Sequence, residues 1–167
     1  MRVIIHDASV LIDLATAEIL ELFMSMPFEM MTTDFVVNEI GDSTTLRQVK
    51  SVIAHGFLHV LKSDNVAMSE IQALNTQRPF LSFADCSVFF LSKKRGAMLL
   101  TGDGRLRKEA ENNGLEVHGT LWVFDLLVDE GKISTDGARA RLTDLLMRNP
   151  RLPSDACEIR LKKWAGA

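Results

Sequence analysis

Val3-Ile4-Ile5-His6-Asp7-Ala8-Ser9-Val10-Leu11 opens the fold almost at the first residue. Val3-Ile4-Ile5 is short, apolar and β-branched, which reads as a buried strand. The run stops at an acid, Asp7. Leu11, Leu14, Ala15, Ile19, Leu22 and Phe23 then recur at helical spacing, and Pro27 closes that helix. The same unit returns later: Ala97 to Thr101 reads as a strand, Gly102-Asp103 closes it, and a helix runs from Leu106 to Asn113, stopped by Gly114. Strand, acid, helix, repeated, implies an α/β layer fold with a mainly parallel sheet.

The intervening segments fit this alternation. Strands are expected at Phe28–Thr32, Phe57–Leu61 and Leu115–His118. Helices are expected from Asp34 to Ile40, around Leu46–Ile53, and from Asp64 to Asn75. The helix from Ser82 to Arg95 is the best marked: Ser82 caps it, and Lys93-Lys94-Arg95 before Gly96 suits the negative end of the helix dipole. Three more helices follow, Thr120–Glu130, Ser134–Arg148 and Ser154–Trp164, with Pro150 and Pro153 between the last two. No repeat or linker divides the 167 residues. The expectation is a single domain over 1–167, with its core motifs in about 1–125 and a helical extension over about 126–167.

Composition sets limits. The chain is 47% hydrophobic and 25% charged, with 19 Lys and Arg against 22 Asp and Glu, a formal net charge of −3. That balance argues against whole-surface electrostatic binding of nucleic acid, but not against a nuclease whose bound cations offset local acids. Cys86 and Cys157 have neither metal-ligand nor disulfide-framework spacing, which suits a reduced, cytoplasmic setting. No signal segment and no apolar run of membrane-spanning length is legible, so no membrane partner is expected.

Asp7, Glu39, Asp85 and Asp103 stand where apolar segments end or helices begin. In a parallel sheet, Asp7 and Asp103 follow strands and so share one edge, where sites form. Helices enter at that edge, so Asp85, in a first turn, and Glu39, on a short helix, can join them. Such an all-oxygen set suits Mg²⁺ or Mn²⁺ and the hydrolysis of a phosphodiester. Each acid also has a local explanation. Asp85 follows Ser82 at capping-box spacing, Asp7 and Asp103 can cap helices, and Glu39 can be a solvated helix acid. Ser9 is the hydroxyl nearest Asp7 in sequence. The four histidines show no ligand spacing and read as packing or surface residues.

At this point the motifs resemble the PIN-domain family. Asp7-Ala8-Ser9-Val10-Leu11 resembles its opening motif, Val36-Val37-Asn38-Glu39-Ile40 the second, Phe83-Ala84-Asp85 the third, and Leu99-Leu100-Thr101-Gly102-Asp103 the fourth. Segments 117–121, 130–133 and 151–154 resemble a poorly characterised prokaryotic PIN-like branch. The resemblance implies a three-layer α/β/α fold and a metal-dependent, VapC-like endoribonuclease acting on RNA. Asp7, Glu39, Asp85 and Asp103 would be its metal-holding catalytic acids, with Ser9 and Thr101 in support. Many bacterial members are toxins inhibited by a cognate antitoxin, and the resemblance also suggests a homodimer. The sequence departs from the family in one place. Where many members carry a further acid or Asn after Asp103, Gly104 and Arg105 stand here. A catalytically weak or inactive binding and regulatory module is therefore the alternative. A phosphatase of the haloacid dehalogenase kind fits less well, because Ser9 stands where that family has a second Asp. Arg105, Arg107 and Lys108, close behind Asp103, are the candidate RNA-backbone contacts, and Asp13 is expected in a surface or supporting role.

Overall fold

The computed structural model describes residues 1–166. Five strands form one sheet: β1 (Val3–His6), β2 (Glu29–Thr33), β3 (His59–Leu61), β4 (Met98–Leu100) and β5 (Val117–His118). Their order is β3-β2-β1-β4-β5, and every pairing is parallel. The expected mainly parallel sheet is thus wholly parallel among the described residues. The chain steps outward from β1 to β3, then returns to lay β4 against the other side of β1. The order reverses between β1 and β4, and in such sheets the crevice beyond the strand ends at that reversal is where ligands bind.

Helices flank the sheet: α1 (Ala8–Thr16), α2 (Leu20–Met24), α3 (Asp34–Glu39), α4 (Ser43–Ala54), α5 (Asn65–Gln77), α6 (Phe83–Arg95), α7 (Gly104–Asn112), α8 (Thr120–Asp129), α9 (Thr135–Arg148) and α10 (Ser154–Ala165). Helix α6 packs against β1, β2 and β4. Its inner face buries Val88, Phe89 and Leu91, while β1 contributes Ile4 and Ile5. Leu142, Leu145, Cys157 and Trp164 of α9 and α10 belong to the same apolar cluster. The extension therefore shares the core of the sheet. Among the described residues, no helix is long and apolar enough to cross a membrane.

One expected helix is two. The spacing from Leu11 to Phe23 suggests a continuous helix, yet α1 ends at Thr16 and α2 starts at Leu20. Between them Glu18 takes φ 56°. Glu18 N donates to Ala15 O and Ile19 N to Leu14 O, the paired bonds of a Schellman stop, with a glutamate where glycine is usual. Arg141 of α9 donates to the carbonyls of Ala17 and Glu18 at 2.9 and 3.3 Å. A cation more than a hundred residues away thus helps to satisfy the break, and local periodicity carries no trace of it.

Candidate metal centre

The acids are brought to the sheet edge by four different elements. Asp7 ends β1 and caps α1, and its backbone N–H donates to Leu100 O of β4 at 3.0 Å. Asp7 is 4% exposed, and both of its carboxylate oxygens accept hydrogen bonds. Oδ1 accepts from Ala8 N at 2.7 Å, and Oδ2 accepts from Ser9 Oγ at 2.7 Å and Thr101 Oγ1 at 2.8 Å. Ser9 in turn accepts from Gly102 N at 2.8 Å, and Thr101 Oγ1 from Asp103 N at 3.0 Å. Ser9 and Thr101 therefore tie the β4–α7 loop to the carboxylate of Asp7.

Asp103 is the N-cap of α7. Its Oδ1 accepts from Arg105 N and Leu106 N at 2.8 and 2.9 Å. Asp85 completes a capping box with Ser82 at the start of α6, its Oδ2 accepting from Ser82 N at 2.8 Å. Glu39 ends α3 and is exposed. Two contacts hold α3 and α6 together and so set Glu39 near Asp85. Phe35 meets Phe83 edge to face at 4.9 Å, and Thr33, the cap of α3, shares a buried 2.7 Å hydrogen bond with Ser87.

Electrostatically the four are one group. Burial is the largest influence on Asp7 and raises its pKa against the lowering effect of its hydrogen bonds, and the charge of Asp103 adds to the rise. Asp85 is raised by burial, then by the charges of Asp7 and Asp103. Glu39, though exposed, is raised by partial loss of solvent around its carboxyl, then by the charges of Asp85 and Asp7. Like charges each disfavour ionisation of the next. Geometrically the group is looser. Among the described residues, no three His, Cys, Asp or Glu side chains converge as they stand into a set able to hold an ion. The reason is local: three of the acids are turned toward helix N–H groups. Capping leaves part of the set free, because Asp85 Oδ1 and Asp103 Oδ2 accept none of these bonds. A hard, all-oxygen donor set under mutual repulsion fits a divalent cation in its chemistry. To hold one, the carboxylates must turn toward each other.

A PIN-domain family model, DUF3368, matches residues 3–165. The chain belongs to the PIN-domain family. Members of that family are typically metal-dependent nucleases. The match extends past residue 125 through α9 and α10, so the helical extension of this PIN domain lies inside the family unit. The crystal structure of PAE2754 from Pyrobaculum aerophilum shares the fold, with a TM-score of 0.54, 17% identity, and coverage of 79% of this chain and 98% of that one. No curated protein matches the chain.

The basic residues behind Asp103 divide. Arg105 and Lys108 are exposed on α7. Arg107 is held at the strand ends, donating to Thr101 O at 3.0 Å and Val117 O at 3.3 Å. Its guanidinium braces β4 and β5 just below the acids. His6 is fully buried, its Nδ1 on Met31 O at 3.1 Å, and burial lowers its pKa to about 4. It is a neutral packing residue.

Of the surface or supporting role expected of Asp13, the structure excludes the surface. Asp13 is 5% exposed, with Oδ2 accepting from Thr120 Oγ1 at 2.7 Å and Oδ1 from Asn149 Nδ2 at 2.8 Å. It latches α1 to α8 and to the segment after α9. The sequence did hold a signal: Asp13 lies three residues from Val10, on the buried phase of its helix. Asn149 had none. Asp13→Ala leaves a hydroxyl and an amide without their acceptor, and is expected to lower unfolding free energy by about 2 kcal/mol. Urea unfolding checks this, and a loss below about 0.5 kcal/mol would show that the latch is not formed.

Proposed function

We propose that this PIN domain is a Mg²⁺- or Mn²⁺-dependent endoribonuclease that hydrolyses RNA phosphodiester bonds. The observation that carries the reading is the position of Asp7 and Asp103 beyond the strand ends where the sheet order reverses, with Asp85 and Glu39 from two further elements close enough for their charges to act on one another. These acids would hold the cation, with Asp7 at the centre. A divalent ion in such a site supplies Lewis acidity and lowers the pKa of water. The chain's own residues do the rest. Ser9 and Thr101 fix the carboxylate of Asp7 and the loop bearing Asp103. Arg105 and Lys108, on the helix that Asp103 caps, supply exposed cations for RNA phosphates. Arg107 keeps the strand ends in place beneath them.

The test is incubation of purified protein with single-stranded RNA plus Mg²⁺ or Mn²⁺. Cleavage that stops on adding chelator is expected, and chelator-insensitive cleavage would remove the cation from the reading. A role as the toxin of a toxin–antitoxin pair, with a cognate antitoxin and a homodimer as partners, is the setting the family resemblance suggests. Co-expression with the product of an adjacent small reading frame tests it: a complex that suppresses cleavage is expected. The second reading, a binding or regulatory module without catalysis, is favoured by Gly104-Arg105 after Asp103 and by the capped state of the acids. Calorimetric titration with Mn²⁺ separates the two, because a module with no cation affinity cannot run this chemistry.

A further inference from the structure

A groove of about 820 Å³ borders the acids on the side of the helical extension. One wall carries Asp103, the one site acid that lines the groove, with Ser9 and Gly102. The other is the end of α9 and the segment joining it to α10, with Arg148 and Arg151. Not all the arginines here are free. Arg107 is tied to strand carbonyls, and Arg160 is chelated by Asp125, with bonds of 2.6 to 3.0 Å. Arg148 and Arg151 are exposed, and among the described residues neither side chain has a hydrogen-bonding or ion-pair partner.

That wall is held in place. Asn149, between the two arginines, donates to the buried carboxylate of Asp13 on α1, the helix that Asp7 caps. The position of the arginines is therefore coupled through one short helix to the central acid. Ile12, an apolar residue left 38% exposed, and Trp122 also line the groove.

We propose that this groove is the docking track for the RNA strand running to or from the acids, with Arg148 and Arg151 on its phosphates and unpaired bases against Ile12 and Trp122. The identity of the ligand rests on the nuclease reading above. Guanidinium groups pair two phosphate oxygens at once, and apolar side chains take base faces only when bases are unpaired. The occupant is thus single-stranded RNA. The docking segment belongs to the extension, so the extension completes the substrate site.

The experiment measures fluorescence anisotropy of a labelled single-stranded RNA of about 20 nucleotides, long enough to cross several phosphates. It uses Asp103→Asn protein, so that cleavage does not intervene. Adding Arg148→Ala with Arg151→Ala is expected to weaken binding about tenfold near 0.15 M salt, and to reduce the slope of log affinity against log salt by about 1.4, the value for two lost contacts on a single strand. Lys94→Ala with Arg95→Ala, at the far end of α6, is the control and leaves both unchanged. With the acids intact, the arginine variant raises KM and leaves kcat within about twofold. Unchanged affinity and slope overturn the track even if the wild-type protein cleaves RNA. Arginine-dependent binding without cleavage keeps the track and overturns the nuclease. Equal affinity for duplex RNA overturns the single-strand assignment, and no binding of either RNA overturns both readings.

Discussion

Asp103→Asn is expected to lower the proposed metal-dependent RNA cleavage by about a thousandfold, some 4 kcal/mol of transition-state stabilisation, while the fold keeps its stability to within about 0.5 kcal/mol. The two expectations separate because Asp103 has two uses. One is structural: Oδ1 accepts from Arg105 N and Leu106 N and caps α7. Asparagine caps a helix about as well as aspartate, and its amide oxygen can take both bonds. The other use is charge, which asparagine lacks. Asp103→Ala would lose both, with about 1 kcal/mol of stability gone as well. Asp7→Asn is less clean, because an amide would set a donor against Ser9 or Thr101, both of which now donate to Oδ2. Cleavage rates and urea unfolding of Asp103→Asn and Asp103→Ala provide the check. Cleavage within tenfold of wild type in Asp103→Asn would sink the assignment of this acid.

Saturating Mn²⁺ is expected to raise the melting temperature by about 5–10 °C at neutral pH, and Glu39→Gln to remove most of that gain. The physical basis is the burial of these acids, to which their mutual repulsion adds. Asp7, Asp85 and Glu39 all have folded pKa values above their ordinary ones. A carboxyl raised on folding binds its proton more tightly in the folded state. Its contribution to stability is fully present below the unfolded value, about 4, and is lost as pH rises through the raised folded value. As pH rises and these acids ionise, the cation-free protein therefore carries the cost of their burial and repulsion. A cation that binds only the folded state relieves it, and a hundredfold excess over Kd corresponds to about 2.7 kcal/mol, or several degrees for a chain of this size. Glu39→Gln should make the cation-free protein more stable at pH 7 than wild type, with the difference shrinking toward pH 4. His6 acts in the opposite sense. Its pKa falls to about 4 on burial, so its contribution of about 3 kcal/mol is present above 6.5 and lost as pH falls toward 4. The difference between wild type and Glu39→Gln cancels that contribution, which both share. A Glu39→Gln protein that melts lower than wild type at pH 7 without cation would refute the repulsive cluster.

Much of the fold was legible because its signals are local. Val3-Ile4-Ile5 and Met98-Leu99-Leu100 are short apolar runs ending at acids, and both are central strands. Ser82 and Asp85 sit at capping-box spacing and form one. The placement of Asp7 and Asp103 on one edge followed from parallel pairing alone. Less legible was what each acid does there. A carboxylate at a strand–helix junction is read equally well as a cap or as a ligand, and in Asp7, Asp85 and Asp103 the cap is what the hydrogen bonds show.

The sequence by itself therefore determined the alternation of strands and helices, the family, and which acids stand at strand and helix ends. These depend on neighbours a few residues apart, where periodicity and capping leave their mark. Tertiary structure decided the rest. It set the order β3-β2-β1-β4-β5 that reverses between Asp7 and Asp103, and the helix break at Glu18 supported by Arg141. It also turned Arg107 onto strand carbonyls and closed the latch from Asp13 to Asn149 that fixes the second wall of the groove. Apart from Arg107, whose carbonyl partners lie six and ten residues away, each joins groups far apart along the chain. Burial and unsatisfied hydrogen bonds select such partners only once the sheet has assembled, and no local pattern encodes them.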